Sequence, residues 1–282
     1  MKLKQKLAIS YIRARLNILS LVSARKAAVK AFHIWATPQR QAGEKDKEPV
    51  PKGTSLSFRL HGHTIRGHRW MPAGKPVKTV LIAHGFESAS RNFSTYINDL
   101  LYKGYEVLAF DAPAHGESGG KRITLPLYIH TLRTIYDSYG PIQSFLGHSF
   151  GGLALGQLLE TIPHDDQTRL VLVAPASETT TAVDSFFRLM RLRDEVKKEM
   201  DTYIEEISGH PFSYYSTRRA IRNIRAGVLW VHDEEDRITP IRDALLVKED
   251  HPPNVRFIIT RGLGHRRIYR DPEIRRRIVE FL

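Results

Sequence analysis

From Thr79 onward, short apolar runs of strand length alternate with stretches of helical period, and that alternation leaves few folds open. The runs lie at 79–83, 106–110, 144–146, 170–173, 228–231 and 255–260, and the helical stretches near 93–103, 125–139, 151–159, 240–249 and 272–281. Strands alternating with helices in this way are the signature of a largely parallel sheet. Ahead of them, Leu56, Phe58 and Leu60 alternate with polar residues, and 63–70 follows a turn at His61-Gly62, which predicts a β-hairpin. The rhythm breaks at 180–216. Two helical patterns stand there, the second with Val196, Met200, Tyr203 and Ile207 on one face, which predicts a helical insertion between the sixth and seventh strands.

The first 40 residues carry nine basic side chains and no acidic one. Ile9, Ile12, Leu16 and Leu19 recur on one helical face, and Ser23 is placed to cap a second helix over 24–35 that stops near Thr37-Pro38. A polar, Pro-containing linker follows at 43–53. Two readings of the basic segment stand side by side: peripheral contact with anionic lipid, where each basic residue near the surface contributes about 1 kcal/mol, or a helix packed on the protein body. The layout expected is a basic helical segment over 1–40 and one domain over 54–282, with the insertion at about 180–217. A length of 282 residues with 41% hydrophobic composition fits a single large core.

Other classes recede on composition. The chain has no cysteine, which removes disulfide and thiolate chemistry. No apolar run approaches a membrane span, and Arg13 and Arg15 interrupt the N-terminal apolar stretch before a signal core forms, so a cytoplasmic protein is expected. The net charge of +13 favours polyanions or an anionic membrane surface, but no nucleic-acid motif is present, and Arg275-Arg276-Arg277 reads as a solvated helix face. His61, His63 and His68 on the hairpin have no carboxylate beside them, so no metal is expected. The oligomeric state stays open.

The strongest local signal is Gly147-His148-Ser149-Phe150-Gly151-Gly152, which follows an apolar run and opens a helix. A bare G-x-S-x-G arises by chance in roughly one chain in ten of this size, given glycine usage near 7%. The strand-turn-helix context sharpens it, because a serine at so tight a turn presses the residues two before and two after it onto neighbouring backbone, and both are glycine here. The N–H of Phe150 opens the helix and can face a developing oxyanion. After the first parallel strand, His84-Gly85-Phe86 offers the N–H of Phe86 as a second donor. After the last strand, Gly262-Leu263-Gly264-His265 carries the best placed of 13 histidines to act as general base. The acid comes from the run Asp233-Glu234-Glu235-Asp236 behind the 228–231 strand. Asp236, just before the helix that Pro240 opens, is best placed; Asp233 comes next and Glu178 third.

The order Ser149, Asp236, His265, with His84-Gly85-Phe86 upstream and Asp111-Ala112-Pro113-Ala114-His115-Gly116-Glu117-Ser118 between, resembles the α/β-hydrolase superfamily and its esterase and monoglyceride-lipase-like branch. The likeness spans about 58–282. Relatives usually read D-x-x-G-x-G-x-S at the Asp111 loop, and Ala114 with His115 is a mild departure. The resemblance implies an eight-stranded, mostly parallel sheet flanked by helices, with a helical lid at the insertion. It also implies hydrolysis of a small-molecule acyl compound, an ester by default, by a Ser149-His265-Asp236 triad with no cofactor. Phe186, Phe187, Met190, Tyr214 and Tyr215 would then either line an acyl pocket or seal the lid onto the core. The alternative class is a non-catalytic binding module of the same fold, one that binds polyanions or a membrane surface.

Overall fold

The computed structural model describes residues 3–39 and 50–282, so the residues 40–49 of the expected segment and linker lie outside the described residues. The chain divides into two compact units. One joins Pro38–Ser177 to Ser216–Leu282, and the other joins Met1–Thr37 to Glu178–Tyr215.

The first unit is built on β1 (Thr54–Leu60), β2 (His63–Trp70), β3 (Thr79–Ala83), β4 (Glu106–Phe110), β5 (Ser144–His148), β6 (Arg169–Val173), β7 (Gly227–Asp233) and β8 (Val255–Thr260). They form one eight-stranded sheet in the order β1-β2-β4-β3-β5-β6-β7-β8. β2 pairs antiparallel with β1 and β4, and every other pair is parallel. The mostly parallel sheet is therefore as expected. β3, β4 and β5 are buried along their whole lengths, which explains their unbroken apolar character. Alternate side chains serve opposite faces. Val80, Ile82, Val107 and Ala109 pack with Phe93, Tyr96 and Ile97 and with Ile274 and Ile278 of the C-terminal helix. Tyr136 stacks on Phe145 across the other face, with ring centroids 6.4 Å apart. β5 runs to His148, two residues past the apolar run, because Gly147 and His148 keep parallel register with Leu172 and Val173 of β6.

The helices in chain order are α1 (Leu3–Val22), α2 (Ala24–Trp35), α3 (Ser94–Tyr102), α4 (Leu125–Tyr139), α5 (Phe150–Leu159), α6 (Thr179–Met190), α7 (Asp194–Ser208), α8 (Thr217–Ile221), α9 (Ile241–Glu249), α10 (Gly264–Arg267) and α11 (Pro272–Phe281). The Ser23 side chain accepts the Lys26 N–H, the cap that starts α2. On the hairpin turn, His61 shares a 2.9 Å hydrogen bond with His130. Among the described residues no group of three or more His, Cys, Asp or Glu is arranged to hold a metal ion, and no helix is long and apolar enough to cross a membrane.

The second unit is a helical cluster assembled from two distant stretches. Ala27, Ala28, Ala31 and Phe32 of α2 pack with Val183, Phe186, Phe187 and Met190 of α6 and with Val196, Met200 and Ile204 of α7. The small side chains let helix axes approach, and Phe32 sits edge-on to Tyr203 at 5.5 Å. Polar ties cross the same gap: Arg13 donates to the Leu189 carbonyl at 2.6 Å, Arg193 to the Ser20 carbonyl at 2.7 Å, and Arg25 pairs with Glu206. The basic segment packs against the insertion helices. One expectation is corrected here. The buried face of α7 carries Ile204 while Ile207 is exposed, because α7 turns its Val196, Met200 and Ile204 row towards α2. Phe186, Phe187 and Met190 are buried in this cluster.

Candidate active site

Ser149 stands between β5 and α5 with φ 54° and ψ −119°, a positive φ that costs a non-glycine residue energy and is held only where the surroundings dictate it. The surroundings are two glycines. A methyl group on Gly147 would come within 2.6 Å of Gly152 Cα, and one on Gly151 within 2.3 Å of the Ala83 carbonyl oxygen. Gly85 also lies close, since a Cβ there would stand 3.0 Å from Ser149 Cβ. At this turn the Ser149 Oγ lies 3.0 Å from His265 Nε2.

His265 leads from the loop after β8 into α10. Its Nδ1 lies 2.7 Å from Asp236 Oδ2. An ionised carboxylate only accepts, so the proton sits on Nδ1 and Nε2 is left free to accept from Ser149. Asp236 is in turn fixed by the turn it begins. Its Oδ1 accepts the N–H groups of Ile238 at 2.8 Å and Thr239 at 3.0 Å, and its Oδ2 accepts the Thr239 hydroxyl at 2.8 Å. Burial alone would raise this carboxyl, but the His265 hydrogen bond and the two backbone donors outweigh it and hold its pKa below the usual value. The structure thus brings Ser149, His265 and Asp236 into one hydrogen-bonded line. Such a line can carry a proton from hydroxyl to imidazole while the carboxylate steadies the resulting charge.

The runner-up acids stand elsewhere. Asp233 accepts the Thr260 hydroxyl at 2.7 Å, the Leu263 N–H at 3.0 Å and the Glu235 N–H at 3.0 Å, so it ties the loop carrying His265 to the end of β7. Burial raises and these donors lower its pKa, and the donors win. Glu178 precedes α6 in the helical unit.

The two expected oxyanion residues are neighbours: the rings of Phe86 and Phe150 meet edge to face at 6.1 Å. Histidines within the motifs, His84 among them, hold the loops around them. His84 Nε2 accepts the Ala112 N–H at 2.9 Å, which puts its proton on Nδ1, 2.8 Å from the Gly85 carbonyl. His115 Nε2 accepts the Glu87 N–H at 3.0 Å, directly after Phe86. Burial, with the nearby His84, lowers the His115 pKa to about 4 and keeps that ring a neutral acceptor. His148 donates from Nε2 to the His265 carbonyl oxygen at 3.0 Å, and burial, followed by the His265 charge, lowers its pKa to about 3. The departure at Ala114 has a physical correlate: its φ is 64°, where the glycine of relatives carries no penalty. Thr239 was missed altogether. The only trace of it in sequence is an aspartate followed three residues later by threonine, the spacing of a side-chain-capped turn.

Residues 74–222 match the family model Hydrolase_4, described as serine aminopeptidase, S33. The chain belongs to this family. The Hydrolase_4 assignment agrees with the fold, since this protein superposes on an esterase of Pyrococcus furiosus with a TM-score of 0.62 at 22% identity, covering 88% of this chain and 97% of that one. A monoacylglycerol lipase of Paleococcus ferrophilus gives a TM-score of 0.57 at 25% identity, covering 76% and 97%. An uncharacterized abhydrolase domain-containing protein of Dictyostelium discoideum is 32% identical over 122 residues, which are 40% of this chain and 13% of that protein. The uncharacterized protein YqkD of Bacillus subtilis is 31% identical over 81 residues, 29% of this chain and 26% of its own. The Hydrolase_4 chain thus covers a small part of those two relatives. It is an α/β hydrolase, as the motif order implied.

Proposed function

We propose that this hydrolase cleaves the acyl bond of a small-molecule ester through an acyl-enzyme on Ser149. The Ser149 hydroxyl attacks the acyl carbonyl while His265 Nε2 takes its proton, and the N–H groups of Phe86 and Phe150 hold the oxyanion. Collapse of the tetrahedral species expels the alcohol, which takes the proton back from His265. Water then gives a proton to His265 and attacks the acyl group, and collapse passes that proton from His265 to the Ser149 oxygen as the acid leaves. Asp236 keeps the imidazole in the required tautomer and stabilises it when charged. Every step uses a group of this chain or water.

The observation that supports this reading most is the line of 3.0 Å and 2.7 Å contacts running from a serine in a positive-φ turn to a buried carboxylate. An ester is favoured over an amide on chemical grounds, because an alkoxide leaves more readily than an amide nitrogen. The family's description speaks of an aminopeptidase, while the structural neighbours speak of an esterase and a lipase, so an anilide belongs in the same assay. p-Nitrophenyl acetate and butyrate are expected to turn over, and Ser149→Ala to lose about 10⁴-fold or more in kcat with its melting temperature kept. Equal turnover in Ser149→Ala contradicts the mechanism. Wild-type protein inert towards esters, thioesters and anilides contradicts the reading as an acyl hydrolase and revives the binding module.

A further inference from the structure

α1 is apolar on two opposite faces, and the fold uses one of them. Ile12, Leu16 and Leu19 point into the helical cluster. On the opposite side Leu7 is 62% exposed, Tyr11 62%, Ile18 66%, Leu21 76% and Val22 79%. At 3.6 residues per turn these positions fall on one stripe along the helix, with Ala14 completing it. Exposed Lys6 and Arg15 fall on its two flanks, and the Arg15 guanidinium lies over the Tyr11 ring at 5.6 Å. Exposed Lys26 and Lys30 extend the positive charge along α2, and no acidic residue occurs before Glu44. A contiguous apolar patch of this kind is uncommon on a protein surface without a binding role.

We propose that this stripe docks α1 lengthwise onto an anionic phospholipid surface, with Leu7, Tyr11, Ile18, Leu21 and Val22 entering the headgroup-acyl boundary and Lys6 and Arg15 meeting the lipid phosphates. Charge decides between the two occupants such a stripe can have. A second copy would bring together two chains of net charge +13 across a seam flanked by Lys6 and Arg15, with no acidic residue of either α1 to pair with them. An anionic bilayer complements that charge and takes up the apolar side chains together, the arrangement of interfacial helices. A tyrosine suits the boundary, with its ring in the apolar layer and its hydroxyl in the wet one.

The test is cosedimentation of the full-length protein with vesicles of phosphatidylcholine alone and of phosphatidylcholine mixed with phosphatidylserine. The expected result is binding to the anionic vesicles, weakened by salt, and at least tenfold weaker in Ile18→Glu and in the double variant Leu7→Glu/Leu21→Glu. Lys6→Glu/Arg15→Glu weakens it as well. These positions are exposed, so circular dichroism and thermal unfolding of the variants should match the wild type. Protein that stays in the supernatant, binding that the glutamates leave unchanged, or equal binding to neutral vesicles overturns the proposal. So does a wild-type dimer in sedimentation velocity that Ile18→Glu dissociates without any vesicle binding.

Discussion

The sheet unit and the helical unit are held together in different ways. In the sheet unit the backbone dictates residues one at a time: Gly151 stands where a methyl group would meet a carbonyl oxygen at 2.3 Å, Ser149 is held at positive φ, and buried histidines fill fixed acceptor and donor roles. In the helical unit, burial between distant segments does the holding, with an alanine row, Phe32 and long arginines reaching carbonyls more than 170 residues away. The first arrangement fails sharply when one atom is wrong, and the second degrades in proportion to the area lost. Chemistry needs the first kind, because a proton line tolerates little displacement.

The largest effect that sharpens this contrast belongs to the two aspartates. Asp236→Ala is expected to lower kcat for p-nitrophenyl acetate by about 10⁴-fold, whereas Asp233→Ala keeps kcat within about tenfold but loses stability, since it orphans buried donors at about 1–3 kcal/mol. Steady-state kinetics with thermal unfolding separates them, and an exchange of the two phenotypes breaks the assignment. Next, Phe32→Ala should destabilise the helical unit by about 3 kcal/mol. Hydrogen exchange is expected to show lost protection in α2 and α7 with β3 to β6 unchanged; a parallel loss in the strands would mean the units unfold as one.

A smaller effect follows from the buried imidazoles. His148 and His115 have folded pKa values lowered to about 3 and about 4, below the ordinary 6.5, so the unfolded chain binds their protons first. Their stabilising contribution is complete above about pH 6.5 and is lost as pH falls towards those folded values, on the order of 2 kcal/mol per ring by pH 5. His148→Gln, which keeps an N–H donor for the His265 carbonyl, should flatten the fall of melting temperature between pH 7 and pH 5. An unchanged slope would contradict neutral burial. The smallest effect is Ala114→Gly, which relieves a φ of 64° and should raise stability by about 0.5 kcal/mol after the entropy cost of glycine.

Much of the sheet unit was legible in the sequence because its signals are local. Continuous apolar runs mark strands buried on both faces, and the glycines around Ser149 mark a turn that admits nothing larger. In the sequence, distance past the strand alone favours Asp236 over Asp233. What sequence could not show was the reason, the capped turn through Ile238 and Thr239, because that threonine matters only once His265 folds against it at 3.1 Å. The roles of His115 and His148 were hidden for the same cause. In the helical unit, the apolar periodicity of 1–35 and of the insertion was visible, but nothing local says that one covers the other. Ile207 and Ile204 both fit a helical face, and only the direction of α2 decides which is buried.

In the proposed mechanism His265 makes Ser149 nucleophilic. Fluorophosphonate labelling followed by peptide mass mapping reads that dependence. A single adduct on the peptide carrying Ser149, formed by the wild type and suppressed in His265→Ala, is the predicted result. An adduct on another residue, or equal labelling of Ser149 without His265, would contradict it.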